Sequence, residues 1–170
     1  MIPALETERL RLRQLRDADA PAIASLFADE GTAKYIGGVC DAEDAWRRMA
    51  TLVGHWTLRG FGYFALEEKL TSNLVGISGL WFPNGWPERE VAFSLLGAYH
   101  GKGYAGEAVA RVRGHAYDDL KWTTLVSCIA LDNKPSIKVA EKLGAKFERE
   151  TMNRGFKVGV WRYPGPKSLQ

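Results

Sequence analysis

The segment from His100 to Gly106 constrains this chain more than any other part of its sequence. It reads His-Gly-Lys-Gly-Tyr-Ala-Gly. Because glycine has no Cβ atom, the backbone N–H groups of such a loop can approach an anion closely. Apolar residues then recur at helical spacing at Ala105, Ala108, Val109 and Val112, so a helix begins at once and its N-terminus favours negative charge. The loop therefore predicts a cradle for a pyrophosphate group.

The same segment also matches Gly-x-Gly-x-x-Gly, the fingerprint of dinucleotide-binding proteins. An acidic residue, Asp132, follows, as that fold requires, although it comes 26 residues after Gly106 rather than about 20. Residues 97–100 separate the loop from the preceding strand, and only 64 residues follow Gly106, too few for the rest of a doubly wound sheet. A nicotinamide or flavin oxidoreductase is therefore the less favoured alternative. No Gly-Lys-Ser/Thr sequence supports an ATP-binding P-loop.

Composition limits the kinds of partner that we expect. The chain has 170 residues, which suits a single domain over 1–170. Its net charge of +3 is spread among acidic residues, so we expect no nucleic acid. No apolar run approaches the roughly 18 residues of a membrane span and the N-terminus does not resemble a signal peptide, so we expect a cytoplasmic protein without a membrane partner. Cys40 and Cys128 lack metal-ligand spacing, so no metal is expected, and Cys128 has the surroundings of a small buried hydrophobe.

Hydrophobic periodicity predicts the element order β-α-α-β-β-β-α-β-α-β-β. Short, turn-rich connections favour antiparallel pairing in the middle of the chain, and the glycine loop lies in the one parallel β-α-β crossover. We expect a mixed sheet of about seven strands with about four helices. The strands are predicted at 7–15, 61–67, 74–81, 90–96, 123–130, 146–151 and 156–163, and the helices at 17–27, 41–58, 105–116 and 134–143.

Residues 99–108 resemble the acetyl-CoA-binding motif of the GNAT superfamily. That motif, Gln/Arg-x-x-Gly-x-Gly/Ala, falls here on His100, Gly103 and Ala105. The Gly-Lys-Gly-Tyr-Ala form, with Asn-x-x-Ser at 133–136 and Glu-Lys-Leu-Gly at 141–144, is similar to the Rim-type branch, named for ribosomal-protein alanine acetyltransferases. The resemblance implies an α/β (α+β) GNAT fold, with the mixed sheet splayed in its middle. It also implies acetyl transfer from acetyl-CoA to a primary amine, either of a small molecule or of a protein N-terminus.

The resemblance further implies which residues meet the cofactor. The backbone of Leu95 and Leu96 is expected beside the thioester and pantetheine arm, and Asn133 is expected both to cap a helix and to contact that arm. Lys102 could pair with a phosphate or be a solvated loop lysine. His100 stands where Gln or Arg is usual, so no role is expected for its side chain. The pyrophosphate is expected against the backbone of His100, Gly101, Lys102, Gly103, Tyr104, Ala105 and Gly106, of which Gly106 is incidental to the acetyl-CoA motif.

An alkylamine of pKa about 10.4 is mostly protonated at neutral pH, so amine acetylation needs a base. Glu90 opens a strand where this branch often carries an acidic residue, and it is the first candidate. Glu88 and Glu107 follow, although Glu107 in the first turn of a helix also suits a dipole-stabilised surface carboxylate. Relatives often protonate the leaving thiolate with a tyrosine on the last helix. None occurs between Asn133 and Gly144, so Ser136 is the candidate there, or else a first-turn serine bonded to the backbone.

The acceptor amine is the least constrained part of the prediction. Trp81 and Trp86, beside Glu88, suit a cationic amine with an apolar body, or else pack in the core. Asp29 and Glu30 could add negative charge. A peptide N-terminus, an aminoglycoside and a polyamine fit equally well. A catalytically silent CoA-binding or CoA-sensing module is the main alternative to an enzyme, and family habit makes a homodimer possible.

Overall fold

The computed structural model describes residues 2–168. Its centre is one mixed sheet of eight strands. The strand order across the sheet is β1-β2-β3-β4-β5-β6-β8-β7. The strands are β1 (Leu5–Glu6), β2 (Leu10–Arg13), β3 (Tyr63–Glu68), β4 (Leu74–Trp81), β5 (Glu90–Leu95), β6 (Val126–Ala130), β7 (Lys146–Asn153) and β8 (Phe156–Arg162). The helices are α1 (Ala20–Ala28), α2 (Glu30–Ala33), α3 (Ala42–Arg59), α4 (Tyr104–Gly114) and α5 (Lys134–Lys142).

Neighbouring strands are antiparallel everywhere except at β5 and β6. These two strands run parallel and are joined by the crossover that carries the glycine loop and α4. Their ladder has a single register pair, Glu90 with Val126, in the described chain. The strands then diverge, so the sheet splits into two halves at this point. The splayed mixed sheet expected from the sequence is confirmed.

Local capping signals set several helix ends as predicted. The Asp41 side chain accepts a hydrogen bond from the N–H of Asp44 and begins α3, which ends at Gly60 in the left-handed region (φ 76°). Asn133 caps α5 in the same way, and Gly144 follows that helix with a φ of 86°. A short polar side chain satisfies free N–H groups at a helix start, and glycine adopts the left-handed conformation that commonly ends one.

Both faces of the sheet are covered by hydrophobic cores. Alternation along β3 directs Phe64 and Leu66 into the core beneath α4, while Ala65 faces α1 and α3. Phe64 and Leu66 are completely buried, and burying a side chain of this size is worth about 1.5–3 kcal/mol. The two layers of helices therefore hold the sheet from both sides. No helix in residues 2–168 combines the length and the apolarity needed to cross a bilayer.

Two predicted boundaries were wrong for local reasons. The strand expected over 7–15 is broken by a turn, because the Thr7 hydroxyl accepts a hydrogen bond from the Leu10 N–H and the Thr7 N–H donates to the Leu10 carbonyl. This turn separates β1 from β2 and raises the strand count to eight. The expected loop at Asp29 and Glu30 instead contains the short helix α2, which Asp29 caps through the N–H of Thr32.

Candidate active site

The gap between β5 and β6 presents backbone groups that have lost their strand partner. Arg89 and Val91 direct their carbonyls toward β6, where they accept hydrogen bonds from the Val126 N–H (3.3 Å) and the Ser127 hydroxyl (2.6 Å). Because backbone groups alternate in direction along a strand, those of Phe93 and Leu95 also face this side. Beyond the Glu90–Val126 pair β6 has turned away, so these groups line the gap.

Leu95 and Leu96, two of the predicted cofactor contacts, already form backbone hydrogen bonds within the chain. The Leu96 N–H donates to the Val75 carbonyl (3.0 Å), and the Leu96 carbonyl accepts from the Tyr99 N–H (2.9 Å). The Leu95 carbonyl lies 2.9 Å from His100 Nε2, which must carry the proton because a carbonyl can only accept. The Leu96 backbone is thus satisfied within the chain, while the N–H of Leu95 faces the gap, and the expected cofactor contacts of both residues stay predictions. The His100 side chain closes the end of β5.

The glycine loop has a conformation that depends on its glycines. Gly101 and Gly103 lie in the left-handed region, with φ of 74° and 83°, where residues with a Cβ atom are strained. Gly103 is the residue that precedes the first turn of α4. Within the described chain, the backbone N–H groups of residues 101–106 have no hydrogen-bond partner. Such a row of free donors at a helix N-terminus fits a pyrophosphate group, which is the anionic part of CoA.

The side chains of the loop differ in what they can contribute. Lys102 Nζ lies 5.1 Å from the centre of the Tyr99 ring and forms no ion pair in the described chain, so its charge is available. The Tyr104 hydroxyl instead donates to Glu68, which anchors the ring rather than exposing it. Ala105 is buried, and a methyl group added at Gly106 would meet no atom within 4 Å. Only the backbone and Lys102 are therefore free to meet an anion here.

Glu90, the predicted base, forms the register pair that joins β5 to β6 in the described chain. It is only 4% exposed, and its carboxylate accepts a 2.9 Å hydrogen bond from the Cys128 N–H. Burial raises the pKa of Glu90 to about 7, against lowering by the Cys128 N–H and by the nearby Trp86 indole. The indole N–H approaches the carboxylate without reaching the geometry of a standard hydrogen bond. A carboxylate with a pKa near neutrality suits a general base.

The two alternative carboxylates are occupied by arginines. Glu88 is paired with Arg149 (2.6 Å) and with Arg162 (3.0 Å). Glu107 is bonded to Arg9, at 2.7 Å from its Nε atom. Two guanidinium groups balance the charge of Glu88, and its expected contact with a cationic substrate stays a prediction. Glu90 is left as the candidate base, since the structure shows no cation paired with it.

The predicted tryptophans form an aromatic wall beside this carboxylate. Trp81 pairs with Glu90 across β4 and β5, and its ring lies edge-on to Trp86 with the ring centres 6.3 Å apart. His55 stacks on Trp81 at 4.3 Å and 27°. Its Nδ1–H donates to the Phe61 carbonyl (2.7 Å), so Nε2 is free to accept from the Phe82 N–H (3.3 Å). Burial lowers the pKa of His55, and the neutral ring holds Trp81 in place.

The start of α5 lies beyond the end of β6. The Asn133 carbonyl oxygen accepts a 3.3 Å hydrogen bond from the Ser136 N–H, so Asn133 is the predicted cap. The Ser136 hydroxyl is half-buried and has no hydrogen-bond partner among residues 2–168. The alternative of a first-turn serine bonded to the backbone is therefore absent here. A role toward sulfur stays a prediction. The Tyr35 hydroxyl lies 3.4 Å from Asp132 and brings the chain after α2 to this end of the gap.

Sequence reasoning missed several residues that shape the site. Cys128 was interpreted as a small buried hydrophobe, yet its backbone N–H holds the predicted base. No sequence signal identifies a backbone donor of this kind. His55, on α3, stacks on Trp81, and no sequence signal predicts this support. Within residues 2–168 there is no group of three or more His, Cys, Asp or Glu side chains arranged to hold a metal ion.

Comparison with known proteins identifies relatives of this chain. The sequence model of the Acetyltransferase (GNAT) domain matches residues 9–146. The chain is similar to the uncharacterized N-acetyltransferase YoaA of Bacillus subtilis (strain 168), with 25% identity over 159 residues that cover 92% of this chain and 89% of YoaA. A crystal structure of an acetyltransferase from Agrobacterium tumefaciens str. C58 superposes with a TM-score of 0.87 and 31% identity, covering 96% of this chain and 95% of that one.

A more distant structure shares the fold at lower identity. RimL, the ribosomal L7/L12 alpha-N-protein acetyltransferase, was solved in complex with coenzyme A. It superposes with a TM-score of 0.78 at 14% identity, covering 95% of this chain and 98% of RimL. At this identity the similarity establishes a common fold rather than a common substrate.

Proposed function

Because the chain belongs to the GNAT acetyltransferase family, we propose that it is an N-acetyltransferase that moves an acetyl group from acetyl-CoA to a primary amine. The observation that carries the proposal is the placement of two features on one split sheet. Glu90 is buried, has its pKa raised to about 7, and lies where β5 and β6 diverge. A row of unpartnered N–H groups follows on the same crossover at residues 101–106. Amine acetylation with a CoA thioester requires a base and an anion-binding loop beside the same gap.

The backbone of the glycine loop would hold the pyrophosphate of acetyl-CoA. Its N–H groups are unpartnered and lie at the N-terminus of α4, where the helix dipole favours negative charge. Lys102 adds a mobile positive charge beside them. The N–H of Leu95 faces the gap and is placed to donate to an amide or carbonyl oxygen there. When bound, acetyl-CoA supplies the activated acetyl group.

Glu90 would accept the proton of the acceptor amine, either directly or through water. A protonated alkylamine has a pKa of about 10.4, so a base that is ionised at neutral pH is needed. With its pKa raised to about 7, Glu90 combines a substantial ionised fraction at neutral pH with a higher basicity than a solvated glutamate. The aromatic wall of Trp81 and Trp86 would pack against the apolar part of the amine substrate.

Ser136 would hydrogen-bond the departing sulfur. Its hydroxyl has no partner in the described chain, and it lies in the first turn of α5, where the helix N-terminus favours a developing thiolate. Asn133, at the start of the same helix, caps it and could also meet the pantetheine arm. Both roles are proposals that rest on these local contacts.

The proposed acceptor is the primary amine of a protein N-terminus or of a small molecule. Glu88 is neutralised by Arg149 and Arg162, so Glu90 is the carboxylate without a cationic partner beside the tryptophans in the described chain. One such carboxylate suits an acceptor that brings a single amine to the site more than a polycation. RimL, named for its action on a ribosomal protein, makes peptide N-termini the first acceptors to try.

An acceptor screen tests the proposal. Acetyl-CoA would be incubated with the protein and with Ala- and Ser-initiated peptides, aminoglycosides and polyamines, while free thiol is measured. We expect acceptor-dependent thiol release with at least one monoamine or peptide. Failure to bind acetyl-CoA at millimolar concentration would refute the proposal.

The same screen separates the alternatives. Calorimetric CoA binding without thiol release for any acceptor would support a CoA-sensing module. Binding of NAD(H) that CoA does not displace would support a dinucleotide enzyme. A single folded domain over 1–170, a homodimer and a cytoplasmic location stay predictions, which limited proteolysis, light scattering and cell fractionation can check.

A further inference from the structure

Glu107, in the first turn of α4, is bound by the turn that precedes β2. Its Oε2 atom lies 2.7 Å from both Nε and Nη2 of Arg9, and its Oε1 atom accepts a 2.9 Å hydrogen bond from the Arg9 N–H. The Thr7 hydroxyl donates to the same Oε1 atom. These contacts join residues about a hundred positions apart in the chain. A surface carboxylate placed only to complement the helix dipole would not need them, so this contact has another purpose.

Arg9 also reaches the glycine loop itself. Its Nη1 atom donates a 2.9 Å hydrogen bond to the Lys102 carbonyl, and its guanidinium lies 4.4 Å from the centre of the Tyr104 ring. A Cβ atom built at Gly103 would lie 3.4 Å from Arg9 Nη2. One arginine therefore contacts Lys102 and Tyr104, the residues on either side of Gly103, while it is held by Glu107 in the first turn of α4.

The bond to the Lys102 carbonyl orients the donor that follows it. In a trans peptide the C=O and N–H groups point in opposite directions. Fixing the Lys102 carbonyl toward Arg9 therefore aims the Gly103 N–H away from Arg9, into the row of unpartnered donors. Without this bond the peptide between Lys102 and Gly103 could rotate, because Gly101 and Gly103 flank Lys102 and glycine accepts many backbone conformations.

We propose that Arg9 and Glu107 are positioning residues that hold the glycine loop ready for the pyrophosphate of CoA. This inference rests on the proposed use of acetyl-CoA. Arg9 acts through geometry rather than as a phosphate ligand, since its charge is balanced by Glu107 at 2.7 Å. A loop ordered before binding loses less conformational freedom when the ligand arrives, and this raises affinity.

Arg9→Lys tests the role of the planar guanidinium, because lysine keeps the charge but cannot hold Glu107, Lys102 and Tyr104 together. The matched control is Arg11→Lys. Arg11 lies on the adjoining strand, is similarly exposed (48% against 41%) and pairs with Glu67 at 2.9 Å, away from the loop. Melting temperatures of both variants would show whether the fold is retained.

The decisive readout compares acetyl-CoA with S-acetyl-pantetheine, which lacks the pyrophosphate. We expect Arg9→Lys to raise the Kd for CoA and the KM for acetyl-CoA about tenfold. Its kcat/KM for S-acetyl-pantetheine should change less than about twofold, because the free energy lost belongs to the pyrophosphate contact alone. Arg11→Lys should leave all of these values at the level of the unmodified protein.

Glu107→Gln provides a second variant that loses the charge and one of the two oxygen acceptors. Its single oxygen can serve either the Arg9 guanidinium or the Thr7 hydroxyl and Arg9 N–H, while its NH2 group faces the other donors. It should weaken CoA binding in the same direction, and the double variant should bind CoA no more weakly than Arg9→Lys alone, because the two residues act as a unit. Equal losses with both thioesters, or unchanged CoA binding in Arg9→Lys, would overturn the inference. Failure of the unmodified protein to bind CoA would instead refute the proposed function.

Discussion

The Glu90 carboxylate accepts a 2.9 Å hydrogen bond from the backbone N–H of Cys128, across the point where β5 and β6 part. Glu90 opens β5 and forms the single register pair with β6 in the described chain, and Cys128 lies two residues beyond its partner Val126. The bond therefore fixes the carboxylate at the closed end of the gap. It also keeps the carboxylate buried, and burial is what raises its pKa.

Replacing Glu90 with glutamine should remove the proposed base and leave the fold intact. We expect kcat to fall by about 10²-fold or more at neutral pH, the usual contribution of a general base. CoA binding should be retained, because the glycine loop is untouched. Steady-state thiol release and CoA calorimetry measure the two effects. Glu88→Gln is the matched control and should keep most of the activity, since Glu88 is held by arginines; an equal loss in both variants would contradict the assignment.

The pH profile should report the raised pKa of Glu90. At saturating acceptor, kcat should rise about tenfold per pH unit below pH 7 and level off above it, because only the ionised carboxylate takes a proton. Trp86→Phe should move this inflection to higher pH, since the indole N–H lowers the pKa of Glu90. Rate measurements from pH 5.5 to 9 test both statements, and an inflection that stays in place in Glu90→Gln would contradict them.

The buried Glu90 carboxylate should make the free energy of unfolding fall as pH rises. Glu90 has a pKa of about 7 in the fold and about 4.5 when unfolded, so the native state binds more protons between these values. Its stability therefore decreases through that window, by up to about 3 kcal/mol above pH 7. Glu90→Gln removes this cost and should melt several degrees higher than the unmodified protein at pH 8. At pH 4 the two should melt alike, and a pH-independent difference would argue against the buried charge.

The glycines of the loop should respond differently to alanine. Gly103→Ala places a Cβ atom in the left-handed region, which costs about 1–2 kcal/mol, and 3.4 Å from Arg9. It should lower the melting temperature and raise the KM for acetyl-CoA. Gly106 has helical φ and open space at the Cβ position, so Gly106→Ala should stabilise α4 by about 0.5–1 kcal/mol with little change in KM. A severe loss of CoA binding in Gly106→Ala would show instead that Gly106, the third glycine of the Gly-x-Gly-x-x-Gly sequence, is needed for binding.

Ser136→Ala should separate chemistry from binding. If its hydroxyl donates to the leaving sulfur, kcat should fall about tenfold, a typical effect of one hydrogen bond to a charged group, while the KM for acetyl-CoA stays constant. The control is Lys138→Ala on the exposed side of the same helix. Parallel kinetics of the two variants would check the role, and equal kcat values would assign the proton to another group or to water.

Much of the fold follows from local patterns. The capping residues Asp41 and Asn133, and the left-handed Gly144, lie where their chemistry predicts. The turn at Thr7 was mispredicted because its side chain takes over a backbone hydrogen bond, which hydrophobic alternation cannot show. The short helix α2 was missed because the segment from Glu30 to Ala33 carries no apolar period and forms through the Asp29 cap.

The sequence by itself determined the order of the elements and the glycine-rich loop that precedes α4, because these depend on neighbours a few residues apart. It also identified three candidate carboxylates but could not rank them by their surroundings. Only the tertiary structure decided that Glu88 and Glu107 are bound by arginines 61 or more positions away, while Glu90 is buried without a cation. The reason is physical: the charge and pKa of a side chain depend on the atoms packed around it, and folding brings those atoms from distant parts of the chain.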